Sequence, residues 1–160
     1  MKYKTTVRNN KLLLALMLLL TVANGVEAQK PDPVHFDFSA TKTADKTYEV
    51  KFAATINEGW HIYAQEQPDD AVAQPTKITF NKNPLIQLQG KPKEEGEKEQ
   101  YRDKTAGIVQ YQYSKVDFIQ SVKIKTAVKT NLTGTVIYQA CTNEMCLPPK
   151  TVSFTIPINQ

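Results

Sequence analysis

The amino-acid sequence predicts an all-β chain folded as an immunoglobulin-like antiparallel β-sandwich, on three observations. Beyond Ala28, apolar and polar residues alternate with the period of two that a half-buried strand requires. No apolar stripe of helical period and useful length occurs there, so helices are expected to be minor. The strand candidates number about eight or nine, are short, and are joined by polar or proline-containing connections, the layout of two packed antiparallel sheets.

Taken in order, the chain opens on Lys2, Lys4, Arg8 and Lys11, continues through an apolar run at residues 12–23, and closes on Val26-Glu27-Ala28. This is the layout of a secretory signal peptide, residues 1–28, with cleavage after Ala28. The apolar run has about a dozen residues, where a membrane-spanning helix takes roughly 20, so no membrane insertion is expected once the signal is removed. The expected mature domain is residues 29–160, a usual size for one domain with one core.

Within it, Phe36 and Phe38 alternate with His35 and Asp37. Tyr48, Val50, Phe52, Ala54 and Ile56 make one apolar face, with Glu49 and Lys51 on the other. Asn57-Glu58-Gly59 reads as a turn, and residues 60–63 as the strand after it. Further strands are expected at residues 76–80, 85–88, 108–113, 115–125, 135–140 and 152–158. Residues 91–104 mix both charges, contain Pro92 and Gly96, and have only Tyr101 as an apolar member. They read as a solvated loop, with Glu94, Glu95, Glu97 and Glu99 interleaved with lysines on it. Trp60 fits a sandwich core position, and Tyr111 and Tyr113 alternate with Gln110 and Gln112 as an ordinary strand.

The formal charge of +4 falls to about +1 when the basic signal is removed, so the charge says little about partners. No basic stripe supports nucleic-acid binding. Nucleophile elbow, phosphate-binding glycine loop and zinc-spaced ligands are all missing from the sequence, so hydrolase and nucleotide chemistry are not indicated and no cofactor or metal is expected.

The chemistry is concentrated at Cys141 and Cys146, the chain's two cysteines. Four residues between them fit a short hairpin loop, whose opposed residues have Cα atoms about 5 Å apart, a separation that suits a disulfide. In an oxidising compartment such a pair usually closes. Pro148 and Pro149 cannot donate ladder hydrogen bonds, so the chain after Cys146 should leave the sheet and stay accessible. Two readings follow from these residues. A clasp across so short a loop stabilises by roughly 2 kcal/mol. A redox pair instead needs a thiolate, which Glu144 would oppose and Lys150 or His61 would favour. A third reading, Cu(I) handling, rests on Cys141, Met145, Cys146 and His61 as soft ligands.

Tyr138-Gln139-Ala140-Cys141, then four residues, then Cys146-Leu147-Pro148-Pro149 resembles the Tyr-Gln-Gly-Cys and Cys-Tyr-Pro-Pro segments of the amino-terminal periplasmic domain of the thiol:disulfide interchange protein DsbD. Glu58-Gly59-Trp60-His61-Ile62-Tyr63 is similar to that family's Asp-Gly-Tyr-Tyr-Leu-Tyr stretch. Familiar members place five residues between the cysteines where this chain has four. With similar strand order, the resemblance covers essentially all of the mature chain. It implies an immunoglobulin-like sandwich acting in the periplasm as a protein-disulfide reductase component. Electrons would arrive from a thioredoxin-like module of a membrane electron-transfer protein and pass to periplasmic substrate proteins, the pair exchanging to or from thioredoxin-fold partner proteins. It assigns the exchange to Cys141 and Cys146, with Cys146 forming mixed disulfides, and places His61 and Tyr63 on aromatic positions lining the site. The family's cap loop, which shields the pair with an aromatic ring, falls within residues 94–113, where Tyr101 is the candidate. The alternative is a non-enzymatic binding module in which the disulfide only pins a hairpin.

Overall fold

The computed structural model describes residues 32–102, 107–126 and 128–158; the expected signal peptide and its cleavage point lie outside the described residues. Those residues form eleven strands: β1 (Val34–Ala44), β2 (Thr47–Ile56), β3 (His61–Tyr63), β4 (Lys77–Phe80), β5 (Ile86–Gly96), β6 (Glu99–Arg102), β7 (Val109–Tyr113), β8 (Val116–Ile124), β9 (Thr130–Tyr138), β10 (Ala140–Cys141) and β11 (Lys150–Ile158). Among the described residues there is no helix. The strands make three antiparallel sheets, ordered β1-β2-β8-β5, β10-β3-β7-β6 and β11-β9-β4. This is the immunoglobulin-like sandwich that the alternation predicted.

Packing follows from that alternation. On β2, Tyr48, Val50, Phe52 and Ala54 are buried while Glu49 and Lys51 face solvent. The first sheet meets the third through aromatic rings: Phe52 lies 5.0 Å from Phe154 and 6.0 Å from Phe80, and Phe38 lies 5.6 Å from Phe154. Edge-on and tilted contacts of this kind add to burial, which is worth about 1.5–3 kcal/mol per large apolar side chain. The sheet carrying the cysteines adds Ile62, Tyr113 and Ala140 to the same core. Gln139 alone separates β9 from β10, so the cysteine segment is a direct extension of a core strand. Trp60 is half-buried against this core.

The main departure from the sequence expectation is residues 91–104. Described as far as Arg102, they are not a loop: β5 continues to Gly96 and β6 follows at Glu99. Both are terminal strands of their sheets. An edge strand is solvated along much of its length and is commonly charged, which prevents further pairing. The mixed charges therefore reported exposure, not irregular backbone. Lys93 to Gly96 pair with Ile119 to Val116 after a register shift between Gln89 and Lys93. Buried Gln120 repairs that shift, its side-chain amide donating to the Gln89 carbonyl at 3.2 Å.

Gly134 sits mid-strand on β9, opposite Phe80 on β4 and Phe154 on β11. A Cβ at this position would collide with the Thr79 carbonyl oxygen and the Phe154 ring. Glycine thus lets the Phe154 ring lie across the strand. Gly134→Ala is expected to destabilise the domain by about 1–3 kcal/mol, the range for overpacking a close-packed interior. A fall in the urea midpoint with unchanged slope is the expected result.

Candidate functional site

The site is built on one short ladder. Cys141 on β10 stands directly opposite His61 on β3, and Ala140 opposite Ile62. Directly opposed residues share a face, and neighbours along a strand alternate faces. Ile62 and Ala140 therefore go to the core, which places His61, Tyr63 and Cys141 together on the other side. The same rule extends the row across the sheet. Gln112 on β7 opposes Tyr63, Glu99 on β6 opposes Gln112, and Tyr101 opposes Gln110.

What aims β3 is the turn before it. The Trp60 amide donates to the Asn57 carbonyl at 3.1 Å, and Gly59 occupies the third position with φ of 79°. Positive φ at that position is the requirement of a type II turn, which glycine meets without strain. Thr76 then fixes the far end of β3, its hydroxyl donating to the Tyr63 carbonyl at 2.6 Å.

Cys141 and Cys146 are joined by a disulfide with a Cα–Cα separation of 4.1 Å. They form an isolated antiparallel bridge flanked by two hydrogen bonds, Leu147 N–H to Ala140 carbonyl at 2.9 Å and Thr142 N–H to Met145 carbonyl at 2.8 Å. The cysteines are thus a non-hydrogen-bonded pair, the class whose Cα atoms approach most closely. This accounts for a separation below the 5 Å expected from a generic hairpin. The four-residue loop has its own internal order: the Thr142 hydroxyl accepts from the Glu144 and Met145 amides at 3.2 and 3.1 Å. Gln139 secures the outgoing arm, its side chain donating to the Leu147 carbonyl at 3.1 Å.

The two sulfurs are not equivalent. Cys141 is fully buried, at 0% exposure, while Cys146 is exposed. Pro148 and Pro149 follow in irregular, exposed chain, as their missing amide donors require. Beside Cys146 lies a cleft of about 230 Å³, lined among others by His61, Tyr63, Tyr101, Gln110, Gln112 and Glu144. The structure therefore brings together the five residues that the resemblance marked as the exchange pair and its lining: Cys146, His61, Tyr63 and Tyr101 at the cleft, and Cys141 beneath it through the disulfide.

Tyr63 donates its hydroxyl toward Cys146 Sγ at 4.0 Å, since a disulfide sulfur has no proton to give. Its oxygen also lies 3.4 Å from His61 Nε2. Burial pushes the His61 pKa down, and the Glu99 carboxylate opposes that shift. Burial and the neighbouring Tyr101 push the Tyr63 pKa up. Lys150, considered beside the thiolate, is instead bonded to Asp32 at 2.6 Å. Met145 is exposed at the loop tip, and no group of three His, Cys, Asp or Glu able to hold a metal occurs among the described residues.

Several contributors were not singled out. Gln139 and Thr142 hold the hairpin through bonds that no spacing rule announces. Gln110 and Gln112 are buried and turned toward the cleft. Their alternation with Tyr111 and Tyr113 is ordinary strand patterning, which does not distinguish a buried polar face from a solvated one. Glu94, assigned to a solvated loop, accepts from the Gln65 amide at 2.5 Å and the Tyr113 hydroxyl at 2.8 Å, tying β5 to the site sheet.

Fold and site together define an immunoglobulin-like sandwich domain with a surface-reaching hairpin disulfide. Residues 25–157 match the family model of the thiol:disulfide interchange protein DsbD, N-terminal, and the chain belongs to that family. Among solved structures it is similar to the N-terminal periplasmic domain of ScsB from Proteus mirabilis. That match has a TM-score of 0.54 and 16% identity, and covers 81% of this chain and 47% of the other. The chain thus spans about half the length of that structure. It is also similar to the reduced Neisseria meningitidis DsbD N-terminal domain, with a TM-score of 0.46, 21% identity, and coverage of 78% and 86%. A complex between the DsbD N-terminal and PilB N-terminal domains of Neisseria meningitidis gives 0.48 and 20%, with coverage of 81% and 87%. No curated protein sequence matches the chain.

The depressed His61 pKa has a thermodynamic consequence. Below the ordinary histidine value of about 6.5 the unfolded chain protonates this residue before the folded one does, so stability contributed by the neutral ring is lost as pH falls. Urea midpoints compared between about pH 7 and pH 5 should fall less in His61→Gln than in the parent protein. An equal fall in both would show that burial of this ring carries no such linkage.

Proposed function

We propose that this domain is a thiol-disulfide exchange module that passes electrons through Cys141 and Cys146 to or from thioredoxin-fold partner proteins. The observation that carries the proposal is the unequal placement of the two sulfurs in a domain of this family. A partner thiolate can reach exposed Cys146, with buried Cys141 as the leaving sulfur, whereas Cys141 is closed to direct attack by its burial. Cys146 is then the sulfur of the mixed disulfide, and Cys141 the one that resolves or leaves. His61, Tyr63 and Tyr101 line the docking cleft and restrict access by adventitious oxidants.

The hairpin supports exchange over a purely structural clasp. Its backbone and Thr142 bonds do not involve sulfur, so they do not depend on the S–S bond being closed and favour the same loop shape in the dithiol form. The compartment that suits this chemistry is the periplasm, with residues 1–28 as export signal and 29–160 as the mature domain. Among the described residues no helix is long and apolar enough to cross a membrane. A membrane electron-transfer protein is the proposed source of electrons, and the domain's part is that of a protein-disulfide reductase component.

Equilibrated with glutathione or dithiothreitol buffers, the pair should show a potential above roughly −300 mV, with circular dichroism unchanged between redox states. A much lower potential, or unfolding on reduction, would instead make the bridge a clasp. The assignment of the two sulfurs has its own test. Cys141→Ser should accumulate a mixed disulfide with an oxidised thioredoxin-fold protein, whereas Cys146→Ser should be at least about tenfold slower because its remaining thiol is buried. Equal trapping rates would overturn the assignment.

A further inference from the structure

Dithiol exchange requires the attacking sulfur to lose a proton and a departing sulfur to regain one. An ordinary thiol, with a pKa near 8.5, is only about 3% thiolate at neutral pH. Among the described residues Cys146 has one hydrogen-bonding neighbour of note, the Tyr63 hydroxyl at 4.0 Å, and behind that hydroxyl stands His61 Nε2 at 3.4 Å. The His61 ring meets the Tyr63 ring edge-on, centroids 5.3 Å apart, which holds this order of atoms.

We infer that His61, acting through the Tyr63 hydroxyl, takes the proton from Cys146 when it attacks and returns it when it leaves. This rests on the exchange reading and deepens it. In the forward direction the Cys146 thiol gives its proton to the Tyr63 oxygen while the Tyr63 proton passes to His61 Nε2. The products are a thiolate, a neutral tyrosine and an imidazolium. The thiolate attacks the partner's disulfide, one S–S bond forming as another breaks, and releases a partner thiolate. Cys141 then attacks Cys146 Sγ, giving its own proton to that thiolate. The 141–146 bond reforms, the partner's second sulfur departs and takes the proton held on His61. Two electrons and two protons have moved to the partner. Microscopic reversibility makes the same chain a proton donor in the opposite direction, with Nε2–H donating to Tyr63 and Tyr63 to the sulfur, the orientation suited to the oxidised state.

The surroundings favour this use. On β3 itself the titratable groups are His61 and Tyr63; β6 contributes Tyr101 and Glu99; the hairpin loop contributes Glu144; β7 faces the cleft with Gln110 and Gln112, which do not titrate. Burial keeps His61 neutral at rest and so able to accept, while Tyr63 keeps its proton until the relay fires. The Glu99 carboxylate favours an imidazolium at His61, and that cation in turn favours a thiolate beside it. The pair of charges is accommodated where either alone would be costly. Tyr63 is the group in contact with the reacting sulfur, and His61 is the positioning residue that decides where the Tyr63 proton points. At this position the family stretch quoted above has tyrosine, which lacks an imidazole's basicity.

The test is the pH profile of Cys146 alkylation by iodoacetamide in the fully reduced domain, with the modified peptide identified by mass spectrometry. The inflection is expected at least about one pH unit below the ordinary thiol value of 8.5. His61→Gln should return it to about 8.5 and slow the reaction at neutral pH about tenfold. Tyr63→Phe should do the same, and the double variant should add nothing further. A merely structural role would lower the melting temperature and leave the inflection where it was. An inflection at or above about 8.5 in a parent domain that stays folded overturns the relay alone and leaves exchange intact. Retention of the parent inflection in either single variant also overturns it. Unfolding on reduction, followed by circular dichroism, overturns the exchange reading and the relay with it.

Discussion

Everything at the site depends on the two-residue ladder between β10 and β3. It is short, yet the period of two leaves it no freedom: with Ile62 and Ala140 committed to the core, His61 and Cys141 must face away from it. A slip of one residue would turn the imidazole toward the apolar core and Ile62 away from it. The hydrophobic core thus fixes the register, and the register delivers a histidine opposite a cysteine. Because β10 is separated from β9 only by Gln139, the sulfur inherits the rigidity of a strand paired on both sides.

From that placement follows the inequality of the sulfurs. Cys141 belongs to the ladder and is covered, whereas Cys146 lies across the hairpin on chain that two prolines prevent from joining a sheet. The face carrying them is lined with His61, Gln110 and Gln112, buried polar groups that a domain optimised for stability alone would replace with apolar ones. Each is supplied with partners or close neighbours from surrounding segments. The Ala73 amide donates to Gln110 at 3.1 Å, and Gln112 reaches Glu99 at 3.4 Å. A wall of this kind excludes bulk water from the sulfur on one side while leaving polar atoms to direct a proton.

How much of this was legible in the sequence varied with the physics involved. Alternation in residues 48–56 and 152–158 identified strands correctly because one face of each is buried. It failed for residues 91–102, since on these charged edge strands the inward positions, such as Pro92 and Glu94, are only half-buried and not apolar, so apolar alternation has nothing to report. Cys141, Cys146, His61 and Tyr63 were found through a motif and lie together. Their order, with tyrosine between histidine and sulfur, required the structure. The roles of Thr142, Gln139 and Glu94 rest on bonds between residues distant from, or ambiguous within, any local pattern. Tyr101 reached the cleft on an edge strand, although its segment had been assigned to a loop.

Loop length also explains why a bridge of this kind suits exchange better than stabilisation. Folding and oxidation are linked: whatever a disulfide adds to the stability of the fold, the fold adds to the stability of the disulfide. For a closed loop of about six residues the chain-entropy contribution is roughly 2 kcal/mol, which at about 30 mV per 1.4 kcal/mol lowers the potential by only some 40 mV. A bridge closing a loop of about 100 residues would contribute nearer 4.7 kcal/mol and about 100 mV, drawing the pair toward permanent oxidation. The sulfur pair is therefore held in geometry by the sheet and left nearly free in energy, so its redox state can answer to a partner's potential more than to the stability of the fold.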